Sequence, residues 1–333
     1  MKKIKLGILK DYTEDYLKYV GTCEEIGVDY RIIDFLAPDW IELIKMSACN
    51  GFLCHPPDNI QEQKSIYDER LYYLNKALGK PVYPSWESLY IYENKRNMAY
   101  WLEINKIPHP ETRIFAKKKD AINFFKSAEF PLVLKTNIGA GGSGVDIIKN
   151  RSRAIQLAKK IFGRFHPAIT FGRVRFSNKF HGIPLPLFGR IQKHYMIVQK
   201  FYKIKWEWRI IKIGDSYSGH QKLLKGQFAS GSGKVGWVEP PKELLLLVKD
   251  ICDRGSFDSM AVDVFETNDG NYLVNELQAM FGSYLPYQMK IEGKPGRFLY
   301  KEGDFHFEEG EFHQHGSNLL RVKRFMEILQ DEN

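Results

Sequence analysis

The sequence predicts an α/β protein: a small parallel sheet at the N-terminus, then a mixed α+β region. Three observations carry that expectation. Strand and helix signals alternate through roughly the first ninety residues. A glycine-dense loop lies between two strand-like segments near mid-chain. Farther on, two apolar segments bearing carboxylates flank a hairpin turn. Apolar residues make up 44% of the 333, which supplies a core and excludes a disordered or fibrous chain. That length suits two or three domains of roughly 100–200 residues each.

Residues 4–9 are apolar and β-compatible and read as a buried first strand. The apolar run behind the basic start stops at Lys10 and Asp11, too short for a signal-peptide core. Thr13 is placed to cap a helix over 13–26, which Gly27 ends. Residues 30–35 read as a second strand, 38–48 as a short helix and 51–54 as a third strand closed by His55-Pro56-Pro57. A helix over 65–78 and a strand over 81–83 complete the βαβ rhythm. The turn after the first strand, Lys10-Asp11-Tyr12-Thr13, holds no glycine, so an NAD or FAD fingerprint is absent. A helix follows over 93–106, then a proline-rich link, a short strand, a helix over 120–127 and a strand running into Lys135. Residues 195–201 and 209–213 read as strands and 242–253 as a helix. Residues 260–266 and 271–277 pair around Thr267-Asn268-Asp269-Gly270, and 317–329 form a closing amphipathic helix.

Lys and Arg total 49 against 40 Asp and Glu, a formal net charge of +9. The excess is local: residues 147–206 hold 14 Lys and Arg and no acid, so the remainder carries −5. Within that window 162–188 has no clear period and reads as a long, partly irregular insertion. Its phenylalanines, Phe162 to Phe188, interleave with basic residues. Such a composition also occurs on single-strand nucleic-acid surfaces and on faces that touch anionic membranes. The expectation here is a solvated lid over an anionic ligand, with no specific nucleic acid and peripheral contact with an anionic membrane as the alternative. No run of about 18 apolar residues exists, so no membrane span is expected. The four cysteines show no CxxC spacing and read as buried thiols of a cytoplasmic protein.

Gly139, Gly141, Gly142 and Gly144, with Ser143, spell GxGxxG, but the residues after them read as a strand rather than a helix. A strand–loop–strand hairpin of this kind can fold over phosphates, its N–H groups donating and no side chain in the way. The chain lacks the Gly-Lys-Ser/Thr end of a Walker loop and the HRD and DFG motifs of a protein kinase. Asp263 lies in an apolar strand, and Glu276 and Gln278 share one face of the next, since strand side chains alternate. Two carboxylates and an amide oxygen are hard donors of the sort Mg²⁺ takes. Without a cation, two buried acids repel and one protonates.

Together these segments resemble the ATP-grasp superfamily, which includes glutathione synthetase, D-alanine–D-alanine ligase and the RimK-type ligases. The matching pieces are 131–135 leading into the 139–144 loop, 197–202, Glu207-Trp208-Arg209, Asp263, and Glu276-Leu277-Gln278 thirteen residues later. The resemblance implies a pre-ATP-grasp domain over 1–92, a lid subdomain over 93–200 with the basic insertion at about 151–194, and a catalytic core over 201–333. It implies ATP as nucleotide and Mg²⁺, or Mn²⁺, as metal. Lys95 and Lys135 are then expected on the phosphates beneath the 139–144 loop. Gln199, Lys200, Phe201 and Tyr202 are expected along the adenine, and Glu207 near the ribose or hinge. Arg209, with Lys222 as second candidate, is expected at the transferred phosphoryl group, and Asp263, Glu276 and Gln278 at the metal.

Three positions depart from the family pattern. Gln278 stands where Asn is usual, Lys200 where an acid is common, and the 226–233 loop offers Ser230 or Ser232 instead of Asn.

Glu311-Phe312-His313-Gln314-His315 contains an HxH pair with no further ligand cluster, and reads as surface or substrate-pocket histidines rather than a zinc site. Trp206, Trp208 and Trp237 read as core or hinge packing. The resemblance implies a ligase that activates a carboxylate as an acyl phosphate and joins it to an amine or similar nucleophile. Its substrate is expected to be an anionic small molecule or carrier-linked intermediate, and the family makes a homodimer common. An ATP-grasp kinase acting on a hydroxyl, or a nucleotide-binding protein without turnover, are the alternatives.

Overall fold

The computed structural model describes residues 4–331 except 59, 140–143, 165–168, 171–190, 230–231 and 282–283. Three sheets organise the chain. The first is parallel, in the order β2–β1–β3–β4, from β1 (Lys5–Lys10), β2 (Asp29–Asp34), β3 (Gly51–Leu53) and β4 (Val82–Tyr83). Its helices are α1 (Leu17–Ile26), α2 (Trp40–Lys45) and α3 (Gln61–Tyr72), the last extended by a π-turn over Tyr73–Ala77. Thr13 does not cap α1. Its N–H and hydroxyl both donate to Asp11 Oδ1, at 2.7 and 2.6 Å, which closes a separate turn ahead of the helix. Gly27 ends α1 at φ 68°, where a side chain would be strained.

Two more helices follow. α4 (Trp86–Ile91), capped by Ser85, has no counterpart in the sequence reading; α5 (Lys95–Ile104) is capped by Asn94 and starts two residues inside the expected span. The second sheet is antiparallel, β5–β10–β6–β7, from β5 (Thr112–Phe115), β6 (Leu132–Lys135), β7 (Val145–Ile148) and β10 (Met196–Lys200). Helices α6 (Lys118–Ser127) and α7 (Arg151–Ile161) cover one face and close a separate core of Phe125, Leu134, Ile148, Leu157 and Val198. The head of the basic insertion is thus an ordered helix. Ala154, Leu157, Ala158 and Ile161 recur at three- and four-residue spacing and are buried, so its basic residues share the other face. A short pair, β8 (Ile169–Thr170) with β9 (Ile191–Gln192), lies beyond it; most of 162–188 falls outside the described residues.

The third sheet runs β15–β14–β11–β12–β17–β16. Its strands are β11 (Ile204–Ile213), β12 (Ser216–Lys222), β14 (Ser259–Thr267), β15 (Tyr272–Gln278), β16 (Lys290–Ile291) and β17 (Lys294–Lys301). Beside them pair β13 (Val235–Gly236) and β18 (Asp304–Glu309). Helix α8 (Lys242–Gly255) packs on this sheet. The C-terminal helix α9 (Asn318–Asp331) lies against the first: Phe325 stacks on Tyr83 at 5.3 Å and covers Gly51, where a Cβ would stand 2.4 Å from its ring. First and third sheets therefore share one hydrophobic core, from Leu6 and Phe52 to Trp208 and Val262. The four cysteines are buried and unpaired, and among the described residues no helix is long and apolar enough to cross a membrane.

Candidate active site

The second and third sheets face each other across a cleft of about 790 Å³, the open space at its mouth included. Val133, Val145 and Ile147 from the second sheet, with Phe201, Ile204, Phe228 and Phe265, make one part of it apolar. Gln199, Lys200, Phe201 and Tyr202 run along the connection between the sheets, at the edge of this apolar part. Lys95, Lys135, Gly139, Glu207, Asn275 and Glu276 make the other part polar. An apolar compartment joined to a charged one suits a ligand with an apolar part and an anionic tail.

Strand register builds the charged part. On β11, Glu207 and Arg209 point to the same face. Lys222 of β12 lies opposite Glu207, Asp263 of β14 opposite Arg209, and Glu276 of β15 opposite Asp263. Arg209 grips Asp263 bidentately, Nε to Oδ1 at 2.8 Å and Nη2 to Oδ2 at 2.9 Å, and also donates to Gln278 Oε1 at 2.7 Å. Lys222 donates to both Glu207 and Asp263. Lys95 Nζ sits 3.0 Å from Glu276, and Lys135 Nζ donates to Asn275 Oδ1 at 2.8 Å. Asn275 in turn donates to Glu207 Oε2 at 2.9 Å.

The cations set the carboxylate charges. Burial alone would raise Asp263, but Arg209 and Lys222 hold it well below the usual range, so it stays ionised. Burial raises Glu207 against the pull of Lys222. Burial also pushes Lys135 down to about 8, Glu276 resisting and Lys95 assisting.

Of the glycine loop, Gly139 and Gly144 are described; Gly141, Gly142 and Ser143 lie outside the described residues, as does Ser230. Gly139 is held at both ends of its own residue: its N–H donates to Glu93 Oε2 and its carbonyl accepts from Lys95 Nζ, each at 2.7 Å. Gly144 adopts φ 76°, and a Cβ there would meet Thr136 Oγ1 at 1.9 Å. Both hairpin ends are thereby pinned.

Asp263, Glu276 and Gln278 converge as the alternation requires. Their oxygens suit a hard divalent cation, and of these three Glu276 lines the cleft, as Glu207 also does, whereas Asp263 is wholly buried. Among the described residues, no three His, Cys, Asp or Glu side chains cluster closely enough to share a metal. The donor set is thus two carboxylates and an amide.

Sequence reading missed Glu93, Asn275 and Phe228. Asn275 enters because the β14–β15 register shifts between Asp263 and Val264, so that Asn275 and Glu276, adjacent in sequence, both reach the cleft. The HxH pair does not converge. His313 is buried, its Nδ1 2.7 Å from Ser317 Oγ and its Nε2 2.9 Å from Ser218 Oγ, while His315 pairs with Glu25 at 2.6 Å on the surface. The expectation of an accessible histidine is thus corrected for His313. Trp206 and Trp208 both donate to Glu266 Oε2 at 2.9 Å, anchoring β11 to β14.

No family model matches the chain. Over 216 residues it is 26% identical to the alpha-aminoadipate–LysW ligase LysX of Saccharolobus solfataricus, covering 62% of this chain and 69% of that one. Among solved structures it is similar to a RimK domain ATP-grasp protein of Sphaerobacter thermophilus, with TM-score 0.53 and 17% identity over 82% of this chain and 90% of that one. It is also similar to an N5-carboxyaminoimidazole synthase of Aspergillus clavatus bound to ADP and 5-aminoimidazole ribonucleotide, with TM-score 0.56 and 13% identity over 90% and 82%. D-Alanine–D-alanine ligase of Bacillus anthracis matches end to end, over 99% and 100%, with TM-score 0.54 and 16% identity. The chain thus has the ATP-grasp fold of these structures.

Proposed function

We propose that the chain is an ATP-dependent ligase that phosphorylates a carboxylate and passes the acyl group to an amine or similar nucleophile. One observation carries this: Lys95, Lys135, Arg209 and Lys222 converge with Glu207, Asp263 and Glu276 at one end of a cleft whose other end is apolar. The likenesses to LysX and to D-alanine–D-alanine ligase, both named as ligases, support the same class.

In this reading the base slots between Val133, Ile147 and Phe265, with backbone groups of 199–202 along its edge and Glu207 toward the ribose. Lys95 and Lys135 take the phosphates under the glycine loop. Arg209 and Lys222 stabilise charge on the phosphoryl group in flight, the main task in such transfers. Asp263, Glu276 and Gln278 hold Mg²⁺, which when bound screens the phosphate charge. Asp263 also aims Arg209 and Lys222 by binding both. The three-part division at 92 and 200 belongs to the same proposal, supported by the three sheets. The substrate is read as a small or carrier-linked anion, which suits the basic insertion.

The test is incubation with ATP, Mg²⁺ and pools of carboxylates, with hydroxylamine as trap. Hydroxamate with ADP supports the ligase. A phosphorylated alcohol with ADP supports a kinase instead, and tight ATP binding with no turnover on any pool supports a binding protein.

A further inference from the structure

His220 sits on the catalytic face and has no role in the reading above. It lies two residues before Lys222 on β12, hence on the same face, and directly opposite Arg209 in the β11–β12 register. It is buried, and its Nδ1 lies 3.0 Å from the Gln288 carbonyl. A carbonyl only accepts, so that bond fixes the proton on Nδ1 and leaves the Nε2 lone pair free. Burial lowers His220 to about 4, the Gln288 bond opposing and Arg209 and Lys222 assisting, so the ring stays neutral. An anionic phosphoryl group arriving at Arg209 and Lys222 offsets that cationic bias and makes the lone pair more basic.

The approach to His220 is lined by a built surface. Trp237 packs against its ring at 5.6 Å, and Tyr287 against Trp237 at 5.5 Å. Lys290 stands 4.3 Å from the Tyr287 ring and 5.8 Å from that of Trp237. These three are half-exposed, and no carboxylate among the described residues pairs with Lys290. A cation held between aromatic faces without a counter-ion is suited to an incoming anion.

Resting on the ligase reading, we propose that His220, Trp237, Tyr287 and Lys290 form the acceptor site, and that the acceptor is an amine carrying an anionic group. Lys290 pairs with that group across the Trp237–Tyr287 surface, and His220 Nε2 receives an N–H of the attacking nitrogen. As the C–N bond forms, the C–O bond to phosphate breaks with its electron pair leaving on phosphate. The nitrogen's proton goes to His220 Nε2 and from there to water.

The experiment uses the full chain with ATP, Mg²⁺ and pooled carboxylates. Carboxylate-dependent positional isotope exchange in ¹⁸O-labelled ATP reads acyl phosphate formation alone; hydroxamate formation reads attack by hydroxylamine. In His220→Asn, which keeps a donor for Gln288 but loses Nε2, the hydroxamate rate relative to exchange is expected to fall at least about tenfold. A second arm uses half-exposed Lys290. Glycine and phosphoethanolamine are expected to suppress hydroxamate yield more than glycinamide and ethanolamine do, and Lys290→Ala to erase that preference. An unchanged ratio in His220→Asn overturns the role of His220. Equal suppression by charged and uncharged amines in the wild type overturns the anionic acceptor. Neither exchange nor hydroxamate from any pool overturns the ligase reading itself, and with it this one.

Discussion

Lys135 offers the sharpest quantitative test of the site. Its amine is buried at the polar end of the cleft, bonded to Asn275, and burial brings it down to about 8. Only the ammonium attracts phosphate. As pH rises through 8 the free protein loses that charge, and a nucleotide must then bind together with a proton. The charged fraction falls from about 0.9 at pH 7 to about 0.1 at pH 9, so nucleotide affinity should fall about tenfold, or about 1.4 kcal/mol. Phosphate ionisation contributes little, because its last step near 6 is complete over this range. The assay is titration of a fluorescent ADP analogue at constant ionic strength from pH 7 to 9. Lys135→Arg keeps its charge throughout and should flatten the profile while retaining a cation. A wild-type dissociation constant constant within twofold, or an equal slope in Lys135→Arg, would refute the placement of Lys135 on the phosphates.

Asp263→Asn strips the charge partner from Arg209 and Lys222 together; chemical denaturation should show a loss of about 3–5 kcal/mol, and a loss under 1 kcal/mol would contradict the ion-pair geometry. Glu276→Ala should lower Mg²⁺-dependent turnover by at least about 10²-fold, and near-normal turnover would sink the metal assignment. Gly144→Ala places a Cβ 1.9 Å from Thr136 Oγ1 at φ 76°, so a lower melting temperature and weaker nucleotide binding are expected together. His313 is neutral in the fold because burial holds it near 3. The unfolded chain therefore binds more protons between about 3 and 6.5, stability is full above that window, and each pH unit below 6.5 costs up to about 1.4 kcal/mol. His313→Gln should shallow the acid limb of the stability profile, and an unchanged limb would count against the buried, neutral ring.

Legibility followed the kind of signal each residue carries. The parallel sheet was readable because its strands are short apolar runs between helix-period segments. Asp263 was readable as a charge among apolar neighbours, and Glu276 with Gln278 through simple alternation. Strand β12, SYSGHQK, was not: it has no continuous apolar face, and Ser218 and His220, which share one face, meet polar partners in His313 and the Gln288 carbonyl. With it went His220 and the opposition of Lys222 to Glu207. Helix α7 was hidden for the opposite reason, because four small or aliphatic residues among many basic ones look like a charge run until they meet a core. Thr13 has the right type and place for a cap, yet the regular helix starts only at Leu17, and the N–H that Thr13 Oγ1 accepts, from Asp15 at 3.4 Å, belongs to the turn ahead of it.

The sequence by itself determined the parallel sheet and its helices, the localised cationic window and the residues that carry charge into apolar strands. These follow from local periodicity and from the rarity of buried acids. Only the tertiary structure decided which charges meet. Arg209 lies 54 positions from Asp263 and Lys135 140 positions from Asn275, and their contacts arise from strand order, register and one register shift. A one-residue change in any of those registers would turn the same side chains to the other face, so no pattern within a single strand could have specified the site.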